Sequence, residues 1–289
     1  MADFVIDSET NIGSVHLNVA DLERSSRFYT ELLGFRPARQ RNGDLELTAD
    51  GVIPLVVLRE QPNAPPRPPR STGLYHFAIL TPSRLNLARS FWHLLEAGYA
   101  LQGAADHLVS EALYLADPDG NGIEIYADRP RAAWSRRAGQ IDMATEPLDA
   151  EGLLAELKED ERTWSGLSPQ TRIGHVHLHV ADLGQAQAFY CDSLGLEVMA
   201  RYGPSALFVS AGGYHHHIGL NTWAGVGAPP PPPGSLGLRF YTIHLANPQA
   251  LERTVEHLKA SGAQIDEAED GIELQDPSGN RIQLTLGSV

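Results

Sequence analysis

Apolar and polar positions alternate near the start of the chain, where Val15, Leu17 and Val19 interleave with Ser14, His16 and Asn18. The alternation returns in the second half, where Val176, Leu178 and Val180 interleave with His175, His177 and His179. A period of two predicts a strand with one apolar and one polar face. Asp21 and Asp182 follow as helix N-caps. Each precedes an amphipathic stretch with Phe28 or Phe189 on its buried side and Gly34 or Gly195 at its end. Turn residues such as RNGD and AGGY then separate short strands. The unit reads as strand, helix and about three strands.

The two stretches IGSVHLNVADLERSSRFYTELLGF and IGHVHLHVADLGQAQAFYCDSLGL hold their landmarks at one constant offset, Asp21 to Asp182, Tyr29 to Tyr190 and Gly34 to Gly195. That regularity is a duplication. Within each copy a second pair of segments follows, YHFAILTP with DPDGNGIEIY in the first and YTIHLANP with DPSGNRIQLT in the second, so there are four modules. The expected organisation is a first module pair over 12–128, a linker over 129–171 and a second pair over 172–286. Two proline-rich pieces, APPRPPR at 64–70 and APPPPPG at 228–234, fall between modules and read as stiff connectors. The linker carries the helical-looking LDAEGLLAELKED.

Composition narrows the function classes. A chain of 289 residues with 42% hydrophobic content supplies cores for two domains. Its net charge of -14 offers no basic face for nucleic acid or an anionic membrane. No apolar run approaches the ~20 residues that span a bilayer, and MADFVIDSET lacks the basic-then-apolar pattern of an export signal, so the expected location is the cytoplasm. The lone Cys191 excludes an internal disulfide and a cysteine metal cluster, so any metal needs His and carboxylate ligands. Internal histidines are plentiful: SAGGYHHHIGLNTW places His215, His216 and His217 in a row at the start of what reads as a buried strand.

Four such modules, with ADL and FY after the first strand and DPDGN before the last, resemble the vicinal oxygen chelate superfamily, which includes glyoxalase I, bleomycin and fosfomycin resistance proteins and extradiol dioxygenases. Within it the chain looks most like bacterial catechol 2,3-dioxygenases. The resemblance implies an α+β fold of four tandem βαβββ modules forming two curled-sheet cups. Ligands then stand on the first strand of each module and on the last strand. At those places modules 2 and 3 offer His76, Glu124 and His175, whereas modules 1 and 4 offer Ser14, Thr242 and Gln283. Two imidazoles and one carboxylate form the facial triad expected for Fe(II), and Mn(II) would accept similar ligands.

The same resemblance assigns an acid–base histidine to the late strand of the module bearing the first metal histidine, which His216 matches best. Strand alternation, if Gly219 faces the cup, points His217 and His215 inward instead, so His217 is the alternate and the third histidine is read as structural. His107 and Tyr114 match a family histidine and tyrosine ahead of the final carboxylate, across a loop shorter than the pattern. Tyr126 and His16 are read as structural, while His177 and His179 share the face of His175. The implied activity is extradiol cleavage of a catechol with O2, in aromatic catabolism, with no nucleic-acid or membrane partner and with a homo-oligomer left open. Two rivals keep the fold: a glyoxalase-like isomerase or thiol transferase, whose second carboxylate would fall at Gly219, and a non-catalytic ligand-binding resistance protein. One ion can be reached from both modules only if modules 2 and 3 share a cup, within a chain or between subunits. Modules 1 and 4 would then form a second, metal-free cup.

Overall fold

The computed structural model describes residues 4–268 and 271–287. Module 1 comprises β1 (Asn11–Val19), α1 (Leu22–Arg27, continued by a π turn over Phe28–Leu32), β2 (Arg36–Arg41), β3 (Asp44–Thr48) and β4 (Pro54–Glu60). Module 2 comprises β5 (Gly73–Leu80), α2 (Arg84–Glu96), β6 (Gly103–Asp106), β7 (Ser110–Ala116) and β8 (Gly122–Asp128). In the linker lie three two-residue strands, β9 (Arg136–Arg137), β10 (Gln140–Ile141) and β11 (Glu146–Pro147), and α3 (Ala150–Leu154). Module 3 comprises β12 (Arg172–His179), α4 (Leu183–Gln187, with a π turn over Ala188–Ser193), β13 (Glu197–Tyr202), β14 (Ala206–Ser210) and β15 (Ile218–Asn221). Module 4 comprises β16 (Gly237–Leu245), α5 (Pro248–Ala260), β17 (Ile265–Ala268), β18 (Gly271–Gln275) and β19 (Arg281–Leu286).

The expected caps form. Asp21 accepts from the Arg24 N–H at 2.8 Å and Asp182 from the Gln185 N–H at 2.8 Å. Gly34 (φ 82°) and Gly195 (φ 84°) end their helices in the left-handed region. Of the FY pairs, the tyrosines go deepest: Tyr29 donates to Asp117 at 2.9 Å and Tyr190 to Asp276 at 3.0 Å. Each helix motif is thereby tied to the DP turn of the following module. The helical-looking linker segment forms only α3 and, after a break, a single 3₁₀ turn over Glu159–Glu161.

Two mixed sheets result. One runs β17-β18-β19-β16-β1-β4-β3-β2 and joins modules 1 and 4; the other runs β11-β6-β7-β8-β5-β12-β15-β14-β13 and joins modules 2 and 3. The modules that carry His76, Glu124 and His175 therefore share a sheet within one chain. The proline segments carry the chain from one sheet to the other, and they brace each other's flanks through Thr72 N–H to Pro229 O and Leu236 N–H to Pro65 O, both 3.0 Å. The apolar faces of both first-strand repeats, Val15, Leu17 and Val19 with Val176, Leu178 and Val180, join one continuous core. Both polar faces are left for the cups. No helix among the described residues is long and apolar enough to cross a membrane.

Candidate functional site

β5 and β12 pair antiparallel at the centre of the second sheet, with β8 on the far side of β5. Their register sets Ala78 of β5 opposite His175 and beside Glu124, and sets His76 opposite His177. Neighbouring strands stand about 4.8 Å apart, so the His175 ring and the Glu124 carboxylate lean over the Ala78 methyl to meet. His175 Nε2 lies 3.2 Å from Glu124 Oε2, and His76 Nε2 lies 3.0 Å from the same oxygen. All three side chains are buried, and one ligand atom from each lies within 4.8 Å of the others. Ala78 is the residue that sequence comparison overlooks, because a small side chain carries no chemistry; its contribution is the room it leaves.

A register shift between Ile173 and His175 aims the β12 histidines at this meeting point. Gly174 occupies the bulge, and a Cβ there would collide with the Tyr126 hydroxyl. His76 Nε2 is buried and, although Glu124 Oε2 is 3.0 Å away, is not aligned for a hydrogen bond. A buried N2O donor set with an unpartnered nitrogen fits a shared cation better than a structural ion pair. Burial drives His175 down to about 4 despite the opposing Glu124 charge, keeping the ring neutral. Burial alone would raise Glu124, but His175 and then His76 outweigh it and hold the carboxyl well below its ordinary range. A neutral imidazole and an ionised carboxylate are the charge states in which such groups bind a metal.

A cavity of about 560 Å³ opens beside the three side chains. His216 lines it, its ring 4.1 Å from that of His175, and burial above all puts its pKa well below the ordinary value. His217 is not on the cavity wall. Its Nδ1 accepts from the Ala211 N–H at 3.3 Å and lies 3.0 Å from Ser210 Oγ, while its ring stacks on Tyr214. Strand alternation does not govern His217, because the run precedes β15. β15 begins only at Ile218, and the histidines lie in a turn opened by Gly212 (φ 58°) and Gly213 (φ 67°).

His107 and Tyr114 also reach the cavity. The Ala144 carbonyl accepts from His107 Nδ1 at 2.7 Å, so the His107 Nε2 lone pair accepts from the Tyr114 hydroxyl at 2.6 Å. Their short connecting loop closes through Leu108 in the left-handed region (φ 68°). Burial, then the Glu124 charge, raises the Tyr114 pKa well above its ordinary value. His177 lines the wall with its Nε2 buried and unpartnered; Gly219 faces it, and a Cβ there would sit 2.8 Å from the ring. His179 instead bonds Asn221 at 2.7 Å. Tyr126 is structural, bonded to Tyr214 at 2.7 Å. The linker, read as a mere connection, supplies part of the wall through residues 140–145, for which its short, aperiodic sequence gave no signal.

In the first sheet, Phe240 pairs with His16 as His76 pairs with His177, and Gln283 pairs with Thr242 as Glu124 pairs with Ala78. The module 4 counterpart of His76 is therefore Phe240, not Thr242; the motif comparison was two residues out of register. Ser14, Phe240 and Gln283 provide no triad. His16 accepts from Arg239 at 3.2 Å and bonds Ser14 at 2.9 Å.

The Glyoxalase/Bleomycin resistance protein/Dioxygenase superfamily model matches residues 11–125 and 172–284. The chain belongs to this superfamily. One superfamily relative, catechol-2,3-dioxygenase of Bacillus subtilis (strain 168), is 50% identical over 285 residues, 97% of this chain and 99% of that one. Biphenyl-2,3-diol 1,2-dioxygenase 3 of Rhodococcus globerulus is 29% identical over 114 residues, 39% of this chain and 60% of its own. Glyoxalase I from Zea mays shares the fold, with TM-score 0.57 and 15% identity over 96% of this chain and 92% of its own.

Proposed function

We propose that this protein is an extradiol dioxygenase that cleaves catechol or a substituted catechol with O2. The carrying observation is the buried group of His76, Glu124 and His175 open on one side to a cavity, in a chain half identical to a catechol-2,3-dioxygenase along nearly its whole length. Fe(II), with Mn(II) the other candidate, would be held by those three residues and, when bound, supplies a centre that gathers both vicinal oxygens and dioxygen in one place.

His216 accepts a proton from one catechol hydroxyl and returns it later in the reaction. Tyr114, whose own proton is committed to His107, offers its lone pairs to the other hydroxyl. Wall residues such as Ile141, Phe208 and Trp223 seat the ring and keep water away. The ring opens beside the diol and both oxygen atoms of O2 enter a 2-hydroxymuconic semialdehyde type of product. A glyoxalase-like isomerase would need a second carboxylate where Gly219 has no side chain.

Anaerobic reconstitution with Fe(II), followed by catechol and air, is expected to give a yellow product with O2 consumed in proportion to catechol. No product with Fe(II) or Mn(II) would refute the reading. His216→Ala is expected to retain metal and slow turnover by roughly 10² to 10⁴.

A further inference from the structure

The acid–base reading uses one histidine of the run and leaves His215 and Asp128 without a role. His215 is 0% exposed, boxed by the rings of Tyr214 (4.1 Å), Trp134 (5.3 Å) and Tyr126 (6.0 Å). It has two polar partners: Nε2 lies 3.0 Å from Asp128 Oδ1, and Nδ1 lies 2.8 Å from His216 Nδ1. Asp128, at the end of β8, is held in turn by the Tyr214 hydroxyl, 3.2 and 3.0 Å from its two oxygens.

The donor inventory orders this chain. A carboxylate only accepts, so His215 Nε2 carries a hydrogen, and with that one hydrogen on the ring His215 Nδ1 carries the lone pair. His216 Nδ1 must then donate, and the His216 lone pair is left on Nε2, the nitrogen with no protein hydrogen bond among the described residues. We propose that Asp128 and His215 are positioning residues that fix the tautomer and orientation of His216, presenting its unprotonated Nε2 to the cavity. The arrangement does for one imidazole, through another, what the aspartate of a serine protease does for its histidine. It also answers why three histidines stand together: His216 acts, His215 sets it, and His217 braces the turn.

This inference rests on His216 being the acid–base group, and the test separates the two ideas. Histidine nitrogen shifts, read by 15N NMR on the full chain with diamagnetic Zn(II) in place of iron, report which nitrogen of His216 is protonated. In the wild type the proton is expected on Nδ1. In Asp128→Asn the amide oxygen remains with the Tyr214 hydroxyl and the NH2 group faces His215, so both tautomers invert and the proton moves to Nε2. With iron, Asp128→Asn is expected to lower kcat by roughly 10² to 10⁴, far more than KM rises, because His216 then meets the catechol hydroxyl with an N–H in place of a lone pair. Metal content is expected to stay at the wild-type level, and Asp128→Glu, which restores an acceptor, should recover part of kcat. A wild-type His216 protonated on Nε2 would overturn the relay whether or not any variant folds. So would an Asp128→Asn protein that loses metal and kcat together with its tautomer unchanged, the mark of a merely structural role. Full turnover in His216→Ala would instead sink the acid–base reading itself.

Discussion

The helix-to-turn tie gives a prediction whose size can be worked out. Asp117 is buried and accepts four hydrogen bonds: from the N–H groups of Asp119 and Asn121 at 2.9 Å, the Asn121 amide at 2.8 Å and the Tyr29 hydroxyl at 2.9 Å. Tyr29→Phe keeps the ring packing and removes one bond to a buried carboxylate, which costs about 1.5–3 kcal/mol. For a chain of this size that is a fall in Tm of roughly 3–12 °C. In the equivalent tie, Tyr190 bonds Asp276 at 3.0 Å and also the Tyr241 hydroxyl at 3.2 Å, where module 2 has Phe77. Tyr190→Phe therefore strands a second buried hydroxyl and is expected to cost about 1 kcal/mol more. Thermal melts and urea titrations of the two metal-free variants measure both. Shifts under about 1 °C in both, or a smaller effect in Tyr190→Phe, would refute the reasoning.

Ala78→Leu is expected to cut metal content severely with no ligand altered, since the larger side chain fills the space where His175 and Glu124 meet; overpacking itself costs about 1–3 kcal/mol, and elemental analysis of purified protein reads the loss. Folded His175 titrates at about 4, below its ordinary 6.5, so its contribution to stability is fully present above pH 6.5 and is lost as pH falls toward 4. Between those values the unfolded chain binds a proton that the folded one refuses, worth on the order of 3 kcal/mol. Urea titrations of the metal-free protein at pH 7.5 and 4.5 should show this fall, reduced in His175→Gln; equal slopes in the two proteins would contradict it.

The modules were legible because alternation, caps and glycine ends repeat at a fixed offset, and the first strand and helix of each module formed. The partition of candidate ligands between modules 2 and 3 called for these modules to share a cup, within a chain or between subunits, and the sheet pairs them within one chain. Register was not legible. Phe240 and Thr242 differ by two positions on the same face, and only pairing with His16 separates them. The histidine run misled for a related reason: alternation presumes a strand, and Gly212 and Gly213 turn the chain just before it. Ala78 and the linker wall act through space left and space enclosed, which residue chemistry does not announce.

The central claim is that one metal ion is held jointly by His76 and Glu124 of module 2 and His175 of module 3. Anomalous diffraction at the iron edge from iron-loaded crystals tests it directly. The account predicts one strong peak per chain, within about 2 Å of the Nε2 atoms of His76 and His175 and of a Glu124 carboxylate oxygen, and none beside Ser14, Phe240 and Gln283. A peak in the sheet of modules 1 and 4, or one lacking His175, would contradict it.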